Sequence, residues 1–291
     1  RGEEWLSSTA HHVLLYRMLG LEDKQPRFSH LPLILKPSGK GKLSKRDGAT
    51  LGIPVFPLQW TDEETGDVAL GFDKMGFHPG AVVNFLAFLG WNPGTEQEIF
   101  SEDELIEAFS LEHISKGGAR FDFDKALWFN RQYIMAEDIS ELGQKVANVL
   151  RNNGHEVDRS FAEAYTELFR ERVDTYKDFW EQGYYFFEDI KDFDSKNAVK
   201  RWKKEENQAH FKNIIALIAS AEKWDADSLS EMVKNYVTEE NAGFGNILPL
   251  LRIALAGTMQ GPDVFLMMDL MGKKLCVKRL KESPDIFQTL L

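Results

Sequence analysis

Residues 42–46 read Lys-Leu-Ser-Lys-Arg, which places two ammonium groups and a hydroxyl within four positions. Gly39, Gly41 and Gly48 flank them and loosen the backbone. Each ammonium is a compact point charge and the hydroxyl adds a hydrogen bond, so the group suits a polyphosphate. Such cations can follow negative charge as it builds on a departing pyrophosphate. The same five residues would serve equally as a solvated basic loop. Two arginines stand out further along. Arg252 is the only charge in the apolar run from Pro249 to Gly257, and a lone guanidinium there needs an anion, a partner or water. Arg172 follows Leu168 and Phe169 by four and three residues, which on a helix places it beside their apolar stripe. From that position it can stack on or hydrogen-bond an unstacked base, or cover the helix edge with its stem. The histidines show no HExxH spacing. His11 and His12 are adjacent and, on a helix, point about 100° apart. No Ser-His-Asp set is recognisable, so the sequence predicts no protein-bound metal.

Helical periods dominate the elements that must carry these groups. Residues 4–19 read as a helix with Val13, Leu14, Leu15 and Met18 on one face. Residues 20–35 read as a loop and a short buried strand, Leu31 to Leu35. Residues 36–50 read as a Gly/Lys/Ser loop, and 51–66 as an irregular excursion with Pro54, Pro57 and a turn from Thr61 to Gly66. The helical period then returns with Val82, Phe85, Leu86 and Leu89, closed by Gly90. Ser101 to Glu104 is a capping box, and Asp124 is expected to cap a helix bearing Leu127, Trp128 and Ile134. Beyond about 138 three apolar stripes follow without strand signals: Ile139 to Val149, Phe161 to Phe169, and Phe211 to Ile218. Ser228 to Glu231 reads as a further capping box. Pro249 and Pro262 are expected in first helical turns, and Gly272 at a helix end. The aromatic, charged stretch 184–200 is the expected internal joint.

The chain has 291 residues, 43% of them hydrophobic, enough for about two domains with real cores. No apolar run approaches the ~20 residues of a membrane span, and the start carries no signal peptide. Residue 1 is Arg and Trp5-Leu6 follow at once, so the chain reads as cut from a longer one or processed. One cysteine, Cys276, excludes an internal disulfide and a Cys-cluster zinc site and fits a reducing cytoplasm. The formal charge of −11 argues against nucleic acid as a bulk property. The cations are clustered, however, at 36–46, 196–204 and 273–281, so one basic face on an acidic body is one reading. Solvated Lys-rich helices are the other.

Lys42 to Arg46 matches the KMSKS signature of class I aminoacyl-tRNA synthetases in its glutamyl form, KLSKR. The surrounding sequence extends the resemblance. Arg1 to Thr9, Leu14-Leu15-Tyr16 and Pro26-Arg27-Phe28 to Leu33 resemble the glutamyl-tRNA synthetase stretch that leads into KMSKS. Gly76-Phe77-His78-Pro79, Asn84-Phe85-Leu86, Leu89-Gly90-Trp91, Gly117 to Asp122 and Lys125 to Asn130 resemble the stem-contact region. Arg170 to Thr175 resembles an anticodon-reading helix, and Pro249 to Gly257 with Gly261-Pro262-Asp263 a second anticodon contact region. Leu266 departs from the family, which often has an acidic residue there.

The resemblance implies a mainly α chain. The end of a Rossmann-like catalytic domain with the KMSKS loop and stem-contact fold would occupy 1–137. An all-helical anticodon-binding domain would occupy 138–291. It implies that Lys42, Ser44 and Lys45 act on ATP phosphates, that Arg1 binds the glutamate carboxylate and that Trp5 lies beside the adenylate pocket. Arg172, Arg252 and, on the D-arm side, Lys125 would meet tRNA(Glu). The implied partners are ATP with its own Mg²⁺, glutamate and tRNA(Glu), met by a monomer. HIGH, the other ATP signature of the class, is absent, so these residues alone are expected not to charge tRNA. A non-catalytic RNA-binding scaffold that kept the fold is the alternative. The helical run after 138 disfavours the strict glutaminyl type. Arg172 leans towards a discriminating glutamyl enzyme, without separating it from the non-discriminating kind.

Overall fold

Helices carry most of the chain, as the 3.6-residue stripes predict. The computed structural model describes every residue from Arg1 to Leu291 and divides into two units. One comprises Arg1–Ala136 with the short segment Asp174–Tyr176, and the other Glu137–Val173 with Lys177–Leu291.

In the first unit a 3-10 turn, Glu3–Trp5, precedes helix α1 (Thr9–Met18). The apolar face expected of this segment is exposed at Leu14, Leu15 and Met18. The strand expected over 31–35 shrinks to β1 (Ile34–Leu35), which is only partly covered. The segment expected as a loop through residue 50 turns helical at α2 (Lys45–Leu51). The reason lies in two side chains. Ser44 Oγ accepts the Asp47 amide, and the Asp47 carboxylate accepts the Ser44 amide in return. Residues 51–66 contain half of a hairpin, β2 (Trp60–Thr61) antiparallel to β3 (Val68–Ala69). Asp62 closes its turn by accepting the amides of Glu64 and Thr65.

Helices α3 (Pro79–Ala87) and α4 (Glu102–Ala108) follow, the second opened by the expected Ser101–Glu104 box. Strand β4 (Ala119–Arg120) pairs parallel with β1. Helix α5 (Phe123–Ala136) starts two residues earlier than a cap at Asp124 would allow, because Asp122 accepts the Lys125 amide instead. The core of this unit is aromatic: Phe72, Phe77, Phe85, Phe121 and Phe129 cluster with Val82 and Ala126. Burying each such ring contributes roughly 1.5–3 kcal/mol. Two buried asparagines knit the loops to it. Asn84 Oδ1 accepts from the Phe100 amide and the Tyr133 hydroxyl, while Asn130 links the His78 amide to the Asp174 carbonyl.

The second unit contains only helices and turns. α6 (Ile139–Asn152) and α7 (Arg159–Phe169) pack Leu142, Val146 and Leu150 with Tyr165 and Phe169, all fully buried. α8 (Asp178–Gly183) leads into a turn bearing buried Tyr185 and Phe186. α9 (Ser195–Trp202), α10 (Glu205–Ser220), α11 (Ala226–Glu239), α12 (Phe244–Ala256), α13 (Val264–Met271) and α14 (Lys273–Thr289) complete it. The cap of α11 is Asp225, three residues ahead of Ser228. Its carboxylate takes the Ser228 amide and hydroxyl, which are therefore not free to form the expected box. Pro249 lies inside α12, not in its first turn. It cannot donate to the Gly245 carbonyl, and Arg201 Nε does so at 3.1 Å. Pro284 inside α14 is handled alike, with Ser283 Oγ donating to the Leu280 carbonyl at 2.8 Å.

Candidate functional site

Within Lys42 to Arg46 the two ammonium groups and the hydroxyl already have partners in the chain. Lys42 Nζ donates to Glu4 at 2.7 Å. That hydrogen bond is the first cause holding the Glu4 carboxyl below its usual value. Ser44 Oγ donates to Asp47 at 2.6 Å and caps α2. Lys36 Nζ reaches the other Asp47 oxygen at 2.6 Å. Hydrogen bonds from Lys36 and then Ser44 pull the Asp47 carboxyl down to about 2. Lys45 Nζ stands 4.8 Å from the Trp60 ring centroid and 5.4 Å from that of Phe56, a cation over two π faces. The excursion read as irregular from the sequence is therefore what supplies the aromatic cradle for Lys45. An open recess of about 420 Å³ runs along it, lined by Lys45, Arg46, Trp60, Asp62 and Asp67.

The Arg1 side chain is held on several sides. Its Nε donates to His30 at 3.0 Å, Nη2 donates to Thr9 Oγ1 at 2.5 Å, and Nη1 lies 2.5 Å from His12 Nδ1. The guanidinium also lies 4.3 Å over the Phe28 ring. Of its five donors, two remain for a ligand. Trp5 is half exposed, its ring 6.0 Å from that of His12. Lys125 is paired with Glu98 at 2.6 Å and lies 5.6 Å from the centroids of both Phe88 and Phe129.

Arg172 and Arg252 belong to the second unit. α7 ends at Phe169, and Arg172 lies on the 3-10 turn Arg170–Arg172, not on the α-helix its spacing predicted. Its side chain is exposed and makes no ion pair, while its carbonyl accepts from Gln182. It lines a recess of about 580 Å³ shared with Gln182, Tyr184, Tyr185, Gly257 and Gln260, within the size range of ligand pockets. Arg252 stands at the same place from behind. A Cβ on Gly261, another lining residue, would lie 3.5 Å from both Arg252 Nη1 and the Tyr185 hydroxyl. Arg252 Nη1 donates to the Pro262 carbonyl and approaches the Met267 sulfur at 4.0 Å. No carboxylate pairs with it. Burial pushes its guanidinium down, Asp263 opposes that, and the Arg172 charge adds to it. Burial also raises the Tyr185 hydroxyl far above its usual value, with Arg252, Arg172 and Arg279 all pulling the other way. The charges of three arginines thus act on one tyrosine hydroxyl.

The third of these went unseen in the sequence. The Lys-rich tail 273–281 reads as a solvated helix, yet Arg279 is buried. Its signal was available: Cys276, Leu280, Ser283 and Phe287 form the buried stripe of α14, and Arg279 falls within it by helical spacing.

Two family models match successive parts of the chain. Residues 135–284 match the model of the anticodon binding domain, and residues 1–128 that of the catalytic domain of class I tRNA synthetases (E and Q). The glutamate–tRNA ligase of Christiangramia forsetii is 45% identical over 98% of this chain and 56% of its own length. That of Porphyromonas gingivalis is 44% identical with the same coverage. A crystal structure of a glutamate tRNA ligase from Elizabethkingia meningosepticum in complex with its amino acid superposes with a TM-score of 0.88. It is 39% identical, over 100% of this chain and 57% of that one. The chain thus spans little more than half the length of these relatives.

Proposed function

This chain belongs to the glutamyl-type class I tRNA synthetases, and from that premise we propose that its helical unit grips the anticodon arm of tRNA(Glu) while Lys42 to Arg46 serves ATP. The observation that carries the reading is the pairing state of Arg172. It is an exposed guanidinium with no carboxylate, at the mouth of a recess backed by a second arginine that also lacks one. A site so arranged gains from an anion or an electron-rich base edge. Planar guanidinium groups supply both charge and directed donors.

In the whole enzyme the reaction has two steps. The glutamate carboxylate attacks the α-phosphorus of ATP, giving glutamyl-adenylate and pyrophosphate. The terminal ribose hydroxyl of tRNA then takes the glutamyl group and releases AMP. Lys42 and Lys45 would stabilise charge on the leaving pyrophosphate, and Ser44 would add a hydrogen bond. Glu4, the Trp60 and Phe56 rings, and Asp47 compete with phosphate for these three groups. Arg1 would meet the glutamate carboxylate with its two remaining donors, next to Trp5. At Lys125, RNA would compete with Glu98.

Filter binding of the 291-residue chain to tRNA(Glu) over a salt series is the test. Specific binding that weakens steeply between roughly 50 and 200 mM salt is expected. Equal affinity for tRNA(Glu) and an unrelated tRNA sinks the reading. Charging is expected to be undetectable with these residues alone, since they contain no HIGH sequence. Aminoacylation by the purified chain, free of host enzyme, would overturn that part.

A further inference from the structure

Arg279 is 7% exposed and pairs with no carboxylate. A buried charge satisfied only by neutral groups is costly and calls for a reason. Its Nη1 donates to the carbonyls of Tyr185 at 2.6 Å and Leu255 at 2.9 Å, and its Nη2 to the carbonyl of Glu188 at 2.7 Å. These carbonyls belong to two separate segments. Leu255 lies in the last turn of α12, where carbonyls have no partner within the helix. Tyr185 and Glu188 belong to the turn after α8.

Both segments wall the recess that Arg172 lines. The turn supplies Tyr184 and Tyr185, and the end of α12 supplies Ala256 and Gly257. Gly257 fixes a third strand of chain against them. It adopts a left-handed φ of 76°, its carbonyl accepts the Asp194 amide at 2.7 Å, and a Cβ there would run into the Asp192 carbonyl. Asp192 lines the recess as well. One planar fork therefore ties the walls together from the side away from any ligand. A lysine could not hold the carbonyls of both segments in that geometry.

The structure assigns Arg279 as the positioning residue of this recess, the side chain that sets base discrimination there without touching RNA. The assignment rests on the anticodon reading above. Three segments meet at the recess: Asp194 bonds the end of α12 and Lys191 bonds Tyr184 of the turn, while Arg279 holds the turn and the end of α12 to each other. Loss of its fork lets the Tyr184–Glu188 turn drift from the end of α12, and Arg172 then faces a wall of altered shape.

The test uses the whole 291-residue chain and two fluorescent RNA hairpins. One is the tRNA(Glu) anticodon stem-loop, and the other differs only in the third anticodon base. Wild type is expected to prefer the first by about tenfold or more. Absence of that preference defeats the anticodon reading itself, before Arg279 is in question. With wild type discriminating, R279K is expected to bring the preference below about threefold. Its salt slope should stay unchanged, because no phosphate-contacting cation has been removed. Hydrogen exchange without RNA should quicken in residues 184–194 and 255–258 while α6 and α7 keep their protection. Should R279K fail to fold, R279Q, which leaves no buried charge, carries the same comparison. Retained discrimination in the folded variant, or exchange quickened evenly across all helices of the unit, overturns the assignment.

Discussion

Arg172 and Arg252 share a site but not an environment, and alanine at each position should part binding from stability. Arg172 is exposed and its side chain holds nothing in the chain. A surface truncation of this kind changes folding stability by no more than about 0.5 kcal/mol. Arg252 is half-buried and donates to the Pro262 carbonyl, its stem lying in the buried C-terminal half of α12. Losing one charged hydrogen bond removes roughly 1.5–3 kcal/mol, and the lost stem packing adds to it. A domain of this size shifts its Tm by about 2–4 °C per kcal/mol. Calorimetry of R252A should therefore show the helical unit melting roughly 3–12 °C lower, with R172A within about 2 °C of wild type. In the binding assay both variants should lose about tenfold or more for the matched anticodon hairpin, as when one directed guanidinium contact is deleted. If R172A binds the hairpin as wild type does, or melts as low as R252A, the assignment of the exposed guanidinium to the ligand is wrong.

Two further outcomes concern the basic segment at 42–46. Truncating Trp60 to alanine removes the nearer of the two rings over Lys45. A partly exposed cation–π contact is worth about 0.5–1 kcal/mol, so amine-reactive labelling of Lys45 should rise about two- to fivefold relative to exposed Lys116. Unchanged labelling would mean that the ring does not shield the amine. Asp47 has its folded pKa pulled from 3.8 to about 2, first by the Lys36 hydrogen bond and then by Ser44. A lowered carboxylate contributes stability above its unfolded value and loses it as pH falls through the folded one. The start of α2 should thus be held above about pH 4 and released towards pH 2. An NMR titration of the Asp47 side chain should give a midpoint near 2 in wild type, moved upward in S44A. A wild-type midpoint near 3.8 would refute the box as a source of order.

Long periodic stretches were the most legible part of the sequence. Leu142 and Val146, Tyr165 and Phe169, and Phe211 and Ile214 all sit fully buried where their spacing put them, since burying an apolar stripe is what stabilises such helices. Misreadings fell where two local signals compete. Asp225 outbids Ser228 for the start of α11, and Asp122 does the same to Asp124 for α5, because either polar side chain could cap and only the geometry decides. Pro249 fits a helix start by sequence because its missing donor is harmless there. In α12 the freed carbonyl of Gly245 is taken by Arg201, which comes from another helix and lies far outside any local window. Lys42, Ser44 and Lys45 were legible as a group. Their partners were not, because Glu4, Phe56 and Trp60 are set by tertiary contacts. Arg279 was hidden by its company, since four lysines in 273–281 drew the segment towards solvent.

Those partners change what binding must mean at the two places. A ligand arriving at Lys42 or Ser44 competes with a carboxylate, and at Lys45 with two aromatic faces, so binding there is in large part exchange. A phosphate oxygen competes there with the Glu4 carboxylate, the Asp47 carboxylate or two aromatic faces. These groups are exposed enough for water to weaken each contact, so the exchange is close to balanced and the difference in charge decides it. A triphosphate carries more negative charge than any single carboxylate here, which tips the exchange towards the ligand and makes it sensitive to salt. Arg172 needs no exchange. In a chain of net charge −11, a guanidinium left without a carboxylate is where, on the proposed reading, RNA would land most favourably. Local pairing, not the sum of charges, decides where an acidic protein can hold an anion.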